Sequence, residues 1–369
     1  MQSFIAIMQN LSDIKLCICC SWLRATSGLP SIYKKDVPWP CYATHHSNQQ
    51  MASMFSRSLL APIICVLALV PWSHELSHGQ KQPSLDDASA TVKYHGGPLL
   101  TQPNGINVYL IWYGGFSPKD RNSITDFFAS FASPGPRQGP SVSAWWRTIS
   151  AYKDKTGKPV SSTVRLLKQV GDAYSSGKTL KRAQIANFVK SKIDSKIFPL
   201  DPNGIYLVLT AKDVVVERFC MGSCGFHDSI LVGAISRVVF AHVGDPTVQC
   251  PGLCAWPYAL PAYGPPGKAL VAPNGIGADG MIINIATLLA GAASNPFKTG
   301  YFQGDALAPL EAVTACPGIF GSGAYPGYPG ALLVDKMSKA SYNAYGANGR
   351  KFLLPAIWDL ISLNCKVTS

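Results

Sequence analysis

The sequence predicts one α/β or α+β domain: a central mixed sheet flanked by helices, with a turn-rich, disulfide-stapled C-terminal half. Three observations carry this. Apolar, β-branched segments alternate with amphipathic helical stretches from residue 92 to about 245, the order expected of a sheet covered by helices. Glycine (33) and proline (28) are abundant while charged residues make up only 14%, which favours many turns over a helical bundle. Two Cys-x3-Cys units, Cys220/Cys224 before the last predicted strands and Cys250/Cys254 in the turn-rich stretch after them, lie in the C-terminal half. With 369 residues, 47% of them hydrophobic, the chain has ample material for a core.

Taken in order, the first secure strand is Ile106–Gly114, rich in β-branched and aromatic residues. Ser117-Pro118 supplies an N-cap and a proline at the first helical position, so Lys119–Phe131 reads as a helix with Ile124, Phe127, Phe128 and Phe131 inward. Pro134–Pro140 is a linker. Ser141 then caps a second helix running through Trp145, Trp146, Ile149 and Tyr152, with the tryptophans read as core. Val164–Leu167 is a strand, Thr179–Ile193 an amphipathic helix, and Ile205–Thr210 another strand. Ile230–Ile235 and Val238–Val243 follow as strands, then turns to Gly280, then an apolar helix over Met281–Ala293. No internal repeat is present.

The N-terminal region carries an address. From Met51 or Met54, Arg57 is followed by the apolar run Leu59–Val70 and then Pro71, the form of a signal peptide; the run is shorter than the roughly 20 residues of a membrane span. Residues 51–80 are therefore the signal-peptide region, with no stable membrane insertion after its cleavage. Residues 1–50 read as a mispredicted extension, and 81–369 as the domain. His74-Glu75-Leu76-Ser77-His78 fits the zinc-peptidase pattern, but its place between the apolar run and Gly79 makes the match coincidental.

Removing residues 1–80 leaves 27 basic and 17 acidic residues, a formal charge of +10. The basic residues are dispersed and match no nucleic-acid-binding pattern, so no nucleic-acid partner is expected; for a chain working outside the cell, an extracellular polyanion or an anionic surface is the better counterpart. Six cysteines also survive: Cys220, Cys224, Cys250, Cys254, Cys316 and Cys365. The Cys-x3-Cys spacing suits four-cysteine zinc as well as disulfides, and the compartment decides. A secreted chain with an even count predicts three disulfides, in one of 15 connectivities.

Several strings closely resemble the plant EXORDIUM-like, or phosphate-induced, protein family. They are Tyr94-His95-Gly96-Gly97-Pro98-Leu99-Leu100, Val108-Tyr109-Leu110-Ile111-Trp112-Tyr113-Gly114, Phe219-Cys220-Met221 and Gln249–Pro257. Val271-Ala272-Pro273-Asn274-Gly275, Asn295-Pro296-Phe297, Gly300–Gly304 and Ala324–Tyr328 belong to the same set. The match covers about residues 92–365. The resemblance implies a secreted apoplastic or cell-wall protein that promotes growth and cell expansion in response to brassinosteroid and nutrients, without an established catalytic chemistry.

The residues themselves assign no catalytic group, cofactor site or metal ligand. There is no Gly-x-Ser-x-Gly elbow or phosphate loop, and only His95, His227 and His242 remain after residue 80. The helix over Met281–Ala293 lies where a zincin-like peptidase would hold its ligands, yet offers only Asn284 and Thr287. Asp279, Asp305 and Glu311 supply carboxylates, with capping and turn roles expected rather than a glycosidase pair. His227 reads as a packed loop histidine. The candidate binding surface comprises Trp256, His227, Tyr301, Tyr325 and Tyr328, with wall polysaccharide or an extracellular surface protein as partner. The alternative is a wall-glycan hydrolase or a zincin-like peptidase that has lost its metal.

Overall fold

In the computed structural model, β1 (Ile106–Tyr113) is the strand around which two cores form. Its alternate side chains serve opposite faces: Ile106, Val108, Leu110 and Trp112 enter one core, and Tyr109, Ile111 and Tyr113 the other. β1 pairs in parallel with β2 (Val164–Asp172) on one side and β3 (Ile205–Thr210) on the other. β3 pairs in parallel with β5 (Ser236–Gly244), and β4 (Gly225–Val232) closes the sheet antiparallel to β5. The order is thus β2-β1-β3-β5-β4, a mixed five-stranded sheet with one antiparallel edge strand. The structure describes residues 91–133, 139–263 and 267–368; the extension, the signal-peptide region with its His-Glu-x-x-His match, and residues 134–138 of the predicted linker lie outside them.

One face of the sheet is covered by α1 (Pro118–Ala129), α2 (Val142–Arg147) and α4 (Ile276–Ser294), the other by α3 (Arg182–Asp194) and the cysteine-bearing segment. α1 starts as expected, with the Ser117 hydroxyl accepting from the Asp120 N–H and Pro118 at the first position. α2 is shorter than predicted. It tightens into a 3-10 turn over Thr148–Ala151, while Trp145 and Trp146 are buried and donate their indole N–H groups to the carbonyls of Pro355 and Ser161.

Other boundaries move for identifiable reasons. α3 begins at Arg182 because Thr179–Leu180 pairs in parallel with Val215–Val216, and the Gln184 side chain then accepts from the Lys181 N–H. β2 is nine residues long, with Leu167 exposed at the sheet edge. β4 begins at Gly225 and ends at Val232; Gly233–Ile235, expected to extend the strand, form the hairpin loop. α4 starts at Ile276, before Met281, and is buried around most of its circumference. It is long and apolar enough to span a membrane, but 72% of that stretch is inside the protein, as a core helix requires.

Among the described residues three disulfides are present: Cys220–Cys250, Cys224–Cys254 and Cys316–Cys365. The first two clamp the segment entering β4 onto the short helical turn Pro251–Cys254; the third joins the C-terminal ladder of Ile357–Asp359 with Asn364–Lys366 to the loop after α4. Short two-stranded ladders make up the remaining C-terminal part.

Candidate functional site

Two concavities hold most of the candidate residues. The first is an aromatic cleft of about 670 Å³ between the stapled segment and the C-terminal loops, lined by Trp256, Pro261, Tyr263, Tyr325 and Pro326. A smaller trough of about 380 Å³ shares Trp256 and Tyr325 with it and adds Tyr328 and Lys268. Trp256 is anchored against Phe320, ring centroids 5.9 Å apart, while Tyr325 and Tyr328 stand 5.1 Å apart in a tight turn closed by reciprocal backbone hydrogen bonds. The tyrosine faces are open: Tyr263 is 87% exposed, Tyr325 65% and Tyr328 40%. Among the described residues that line the two cavities none carries a carboxylate.

Tyr263, missed in the sequence reading, is the most exposed of the set. Its signal was an aromatic residue in a proline-flanked turn. Tyr301, by contrast, belongs to neither cavity. It stacks on Tyr94 at 4.8 Å, meets Tyr152 edge-on, and donates its hydroxyl to the Lys153 carbonyl, so it is a packing residue tying the N-terminal segment down.

The second concavity, about 650 Å³, runs beside β4. His227 is not in a loop: it sits within β4, on the face toward α4, with Nε2 2.9 Å from both carboxylate oxygens of Glu311. Both side chains are more than nine-tenths buried. Asn295, just past the end of α4, donates to Glu311 Oε1 at 2.7 Å, and Gly291 leaves the space; a Cβ there would collide with Glu311 Oε2. Burial pulls the His227 pKa down, but the charge and hydrogen bond of Glu311, with Asp228 adding, more than offset it, so the imidazole is raised above its ordinary value. Nδ1 is buried without a partner.

The three acidic residues do not pair. Asp279 lies in the first turn of α4 and accepts from the backbone N–H and side-chain amide of Asn274 at 2.7 and 2.8 Å, whereas Glu311 lies against Gly291, twelve residues along the same helix. At 1.5 Å per residue that is roughly 18 Å, far beyond the 5–9.5 Å of glycosidase carboxyls. Asp305 caps an exposed turn through the Leu307 N–H. Asn284 and Thr287 are spent on carbonyls of Cys254, Gly280 and Ile283. Among the described residues no group of three or more His, Cys, Asp or Glu side chains converges as metal ligands.

Comparison with known proteins decides the family. The model of the phosphate-induced protein 1 conserved region matches residues 92–368. The chain belongs to the phosphate-induced protein 1 family. It is 47% identical to Protein EXORDIUM-like 2 of Arabidopsis thaliana over 289 residues, covering 76% of this chain and 91% of that protein. Protein PHOSPHATE-INDUCED 1 of Nicotiana tabacum is 47% identical over 281 residues (74% and 87%), and Protein EXORDIUM of Arabidopsis thaliana 47% over 287 (74% and 88%). No solved structure matches.

The strings that carried the family resemblance now have structural roles. Asn274 orders the start of α4, its side-chain oxygen accepting from Arg350, which also pairs with Asp126. Asn295 joins the end of α4 to Glu311 and accepts from the Gly300 N–H. Tyr94 and Tyr301 stack across a two-residue ladder. Of all the strings in this phosphate-induced protein 1 domain, Gln249–Pro257 and Ala324–Tyr328 alone contribute to the aromatic cleft, through Trp256 and the Tyr325 turn.

Proposed function

We propose that this protein is secreted to the plant cell wall and modulates growth by binding wall polysaccharide at the aromatic cleft, without catalysing a reaction. The single observation that carries the reading is the cleft itself. Flat apolar faces of Trp256, Tyr263, Tyr325 and Tyr328, displayed on turns around a fixed anchor, suit the faces of sugar rings. A hydrolytic site would need two carboxyl groups flanking the bound chain, and the lining has none. Secretion is supported by the signal-peptide form of residues 51–80 and by three disulfides, which persist in oxidising compartments. A role in growth rests on the relatives named EXORDIUM.

The test is affinity electrophoresis and pelleting of the secreted protein with pectin, xyloglucan, arabinogalactan and cellulose. The double variant Tyr263→Ala/Tyr325→Ala removes two exposed rings that pack little core. At about 1 kcal/mol per lost ring contact, it should bind about thirtyfold more weakly. Wild-type protein retained on no fraction, or a variant retained equally well, would remove polysaccharide binding at this cleft from the account.

A further inference from the structure

The groove beside β4 has a different character from the aromatic cleft and shares no lining residue with it. β4 is the outer strand of the sheet, paired to β5 over Gly225–Val232 with no register shift, so its other edge has no strand neighbour among the described residues. In a regular antiparallel pair, alternate residues turn both backbone groups toward the partner and the others turn both away. The Ser229 N–H is satisfied by the Asp228 carboxylate and the Gly225 carbonyl by the Ser223 hydroxyl. Gly225, His227, Ser229 and Leu231 are therefore the outward set, and the N–H and C=O of His227 point outward between the capped Gly225 carbonyl and the capped Ser229 N–H.

The walls of the groove come from both faces of the sheet. Arg182, Phe226 and Phe240 lie on the α3 side; His227, Leu288 and Lys298 lie on the α4 side. Lys298 is engaged by Asp228 at 3.1 Å. Arg182 is not so matched. Its guanidinium lies over the Phe226 ring at 4.3 Å, and its Nε is buried with no hydrogen-bond partner. Its backbone N–H donates to Glu217, and the guanidinium feels the charges of Glu217 and Asp228 without a direct ion pair to either. A buried guanidinium N–H without an acceptor is costly, and a carboxylate is its best complement.

We propose that this groove takes an extended segment of another protein as an added sixth strand, with an acidic side chain of that segment on Arg182. An added strand supplies the amide partners that the His227 backbone lacks, and its alternating side chains reach the two walls in turn: one toward Arg182 and Phe226, the next toward Leu288 and the buried His227–Glu311 pair. The formal charge of +10 that remains after residue 80 favours an acidic partner. A polyanionic polysaccharide could satisfy Arg182 but offers no backbone to match the strand edge, which is why a peptide is the occupant assigned.

The test uses full-length secreted protein and a phage library of random nonapeptides. Selection should enrich extended sequences with Asp or Glu at one position and apolar residues at alternating ones. Arg182→Ala should weaken a selected synthetic peptide at least tenfold and abolish the acidic preference, with Arg182→Lys recovering part of it. Ser229→Pro, tolerated where the N–H faces away from the sheet, sets a ring on the outward edge where the peptide backbone would lie and should block strand addition without touching Arg182. N-methylation of the peptide residue opposite His227 should do the same. Folding of each variant is verified by near-ultraviolet circular dichroism. No enrichment, or binding indifferent to both Arg182→Ala and Ser229→Pro, overturns the proposal. So does oligogalacturonate binding that depends on Arg182 while no peptide depends on Ser229, which would make the groove a polyanion site.

Discussion

Substituting His242 tests how the sheet interior handles protons. The ring lies in β5, 1% exposed, with Nε2 2.9 Å from the Thr210 hydroxyl and the rings of Phe219 and Phe226 around it. Burial, with the charge of Arg182 adding, pushes its pKa from 6.5 down to about 3. The unfolded chain therefore takes up a proton as pH falls through about 6.5, and the native state does not until about 3. Stability is fully present above pH 6.5 and lost as pH falls toward 3. At pH 4.5, two units below the unfolded value, the loss is about 3 kcal/mol. His242→Gln keeps a side chain that can bond Thr210 but cannot titrate. Urea unfolding followed by tryptophan fluorescence at pH 7.5 and 4.5 gives the acid-induced loss in each protein. The loss should be smaller in the variant by about 3 kcal/mol, other groups cancelling in the comparison. Equal losses would mean that His242 is protonated in the native state, and the assigned interior environment would be wrong.

Asp279 works in the opposite sense. Burial raises its carboxyl to about 7 against the amides of Asn274, which favour ionisation, so the native state keeps a proton that the unfolded chain releases above about 4. Its contribution is greatest at acid pH and is lost as pH rises toward 7; Asp279→Asn should flatten the stability profile over that window by up to about 4 kcal/mol, with the slope rather than the absolute value as the readout. Opening Cys316–Cys365, which closes a 49-residue separation, should cost about 4 kcal/mol in the chain-entropy account; Cys316→Ser/Cys365→Ser measured by urea titration should show this loss, and an unchanged midpoint would contradict it.

The interior of the sheet was readable because β1 and β3 are buried on both faces and carry unbroken apolar runs such as Val108–Trp112 and Ile205–Leu209. The outer strands were readable only in part, as Val164–Leu167 and Ile230–Ile235. β2 and β4 are half-exposed and include Lys168, Gln169, Asp228 and Ser229, so the period that marks a strand fades where one edge or face meets water. The same reasoning explains the site. Trp256, Tyr325 and Tyr328 were recognisable as aromatics on turns, and they converge; Tyr301 looked no different in sequence and proved to be a stacking partner of Tyr94. Nothing local distinguishes them, since which loops face each other is settled by the disulfides and by α4. His227 and Glu311, 84 residues apart, meet only because the loop leaving α4 returns along β4 over Gly291.

That loop and the two staples have a joint consequence. Cys224 directly precedes β4, and its partner Cys254 lies two residues before Trp256; Cys220 and Cys250 repeat the connection one short turn away. The strand bordering the groove and the tryptophan anchoring the aromatic cleft are therefore joined through covalent bridges rather than through a flexible linker. On the readings proposed above, a wall glycan in the cleft and a peptide in the groove would be held by one stiff element. Once the protein is seated on polysaccharide, its groove is confined near whatever protein segments share that wall, and their capture depends on local concentration rather than on bulk supply. A weak peptide site is sufficient under those conditions. The groove has the features of such a site: a short outward strand edge, one unpartnered guanidinium N–H and modest apolar walls.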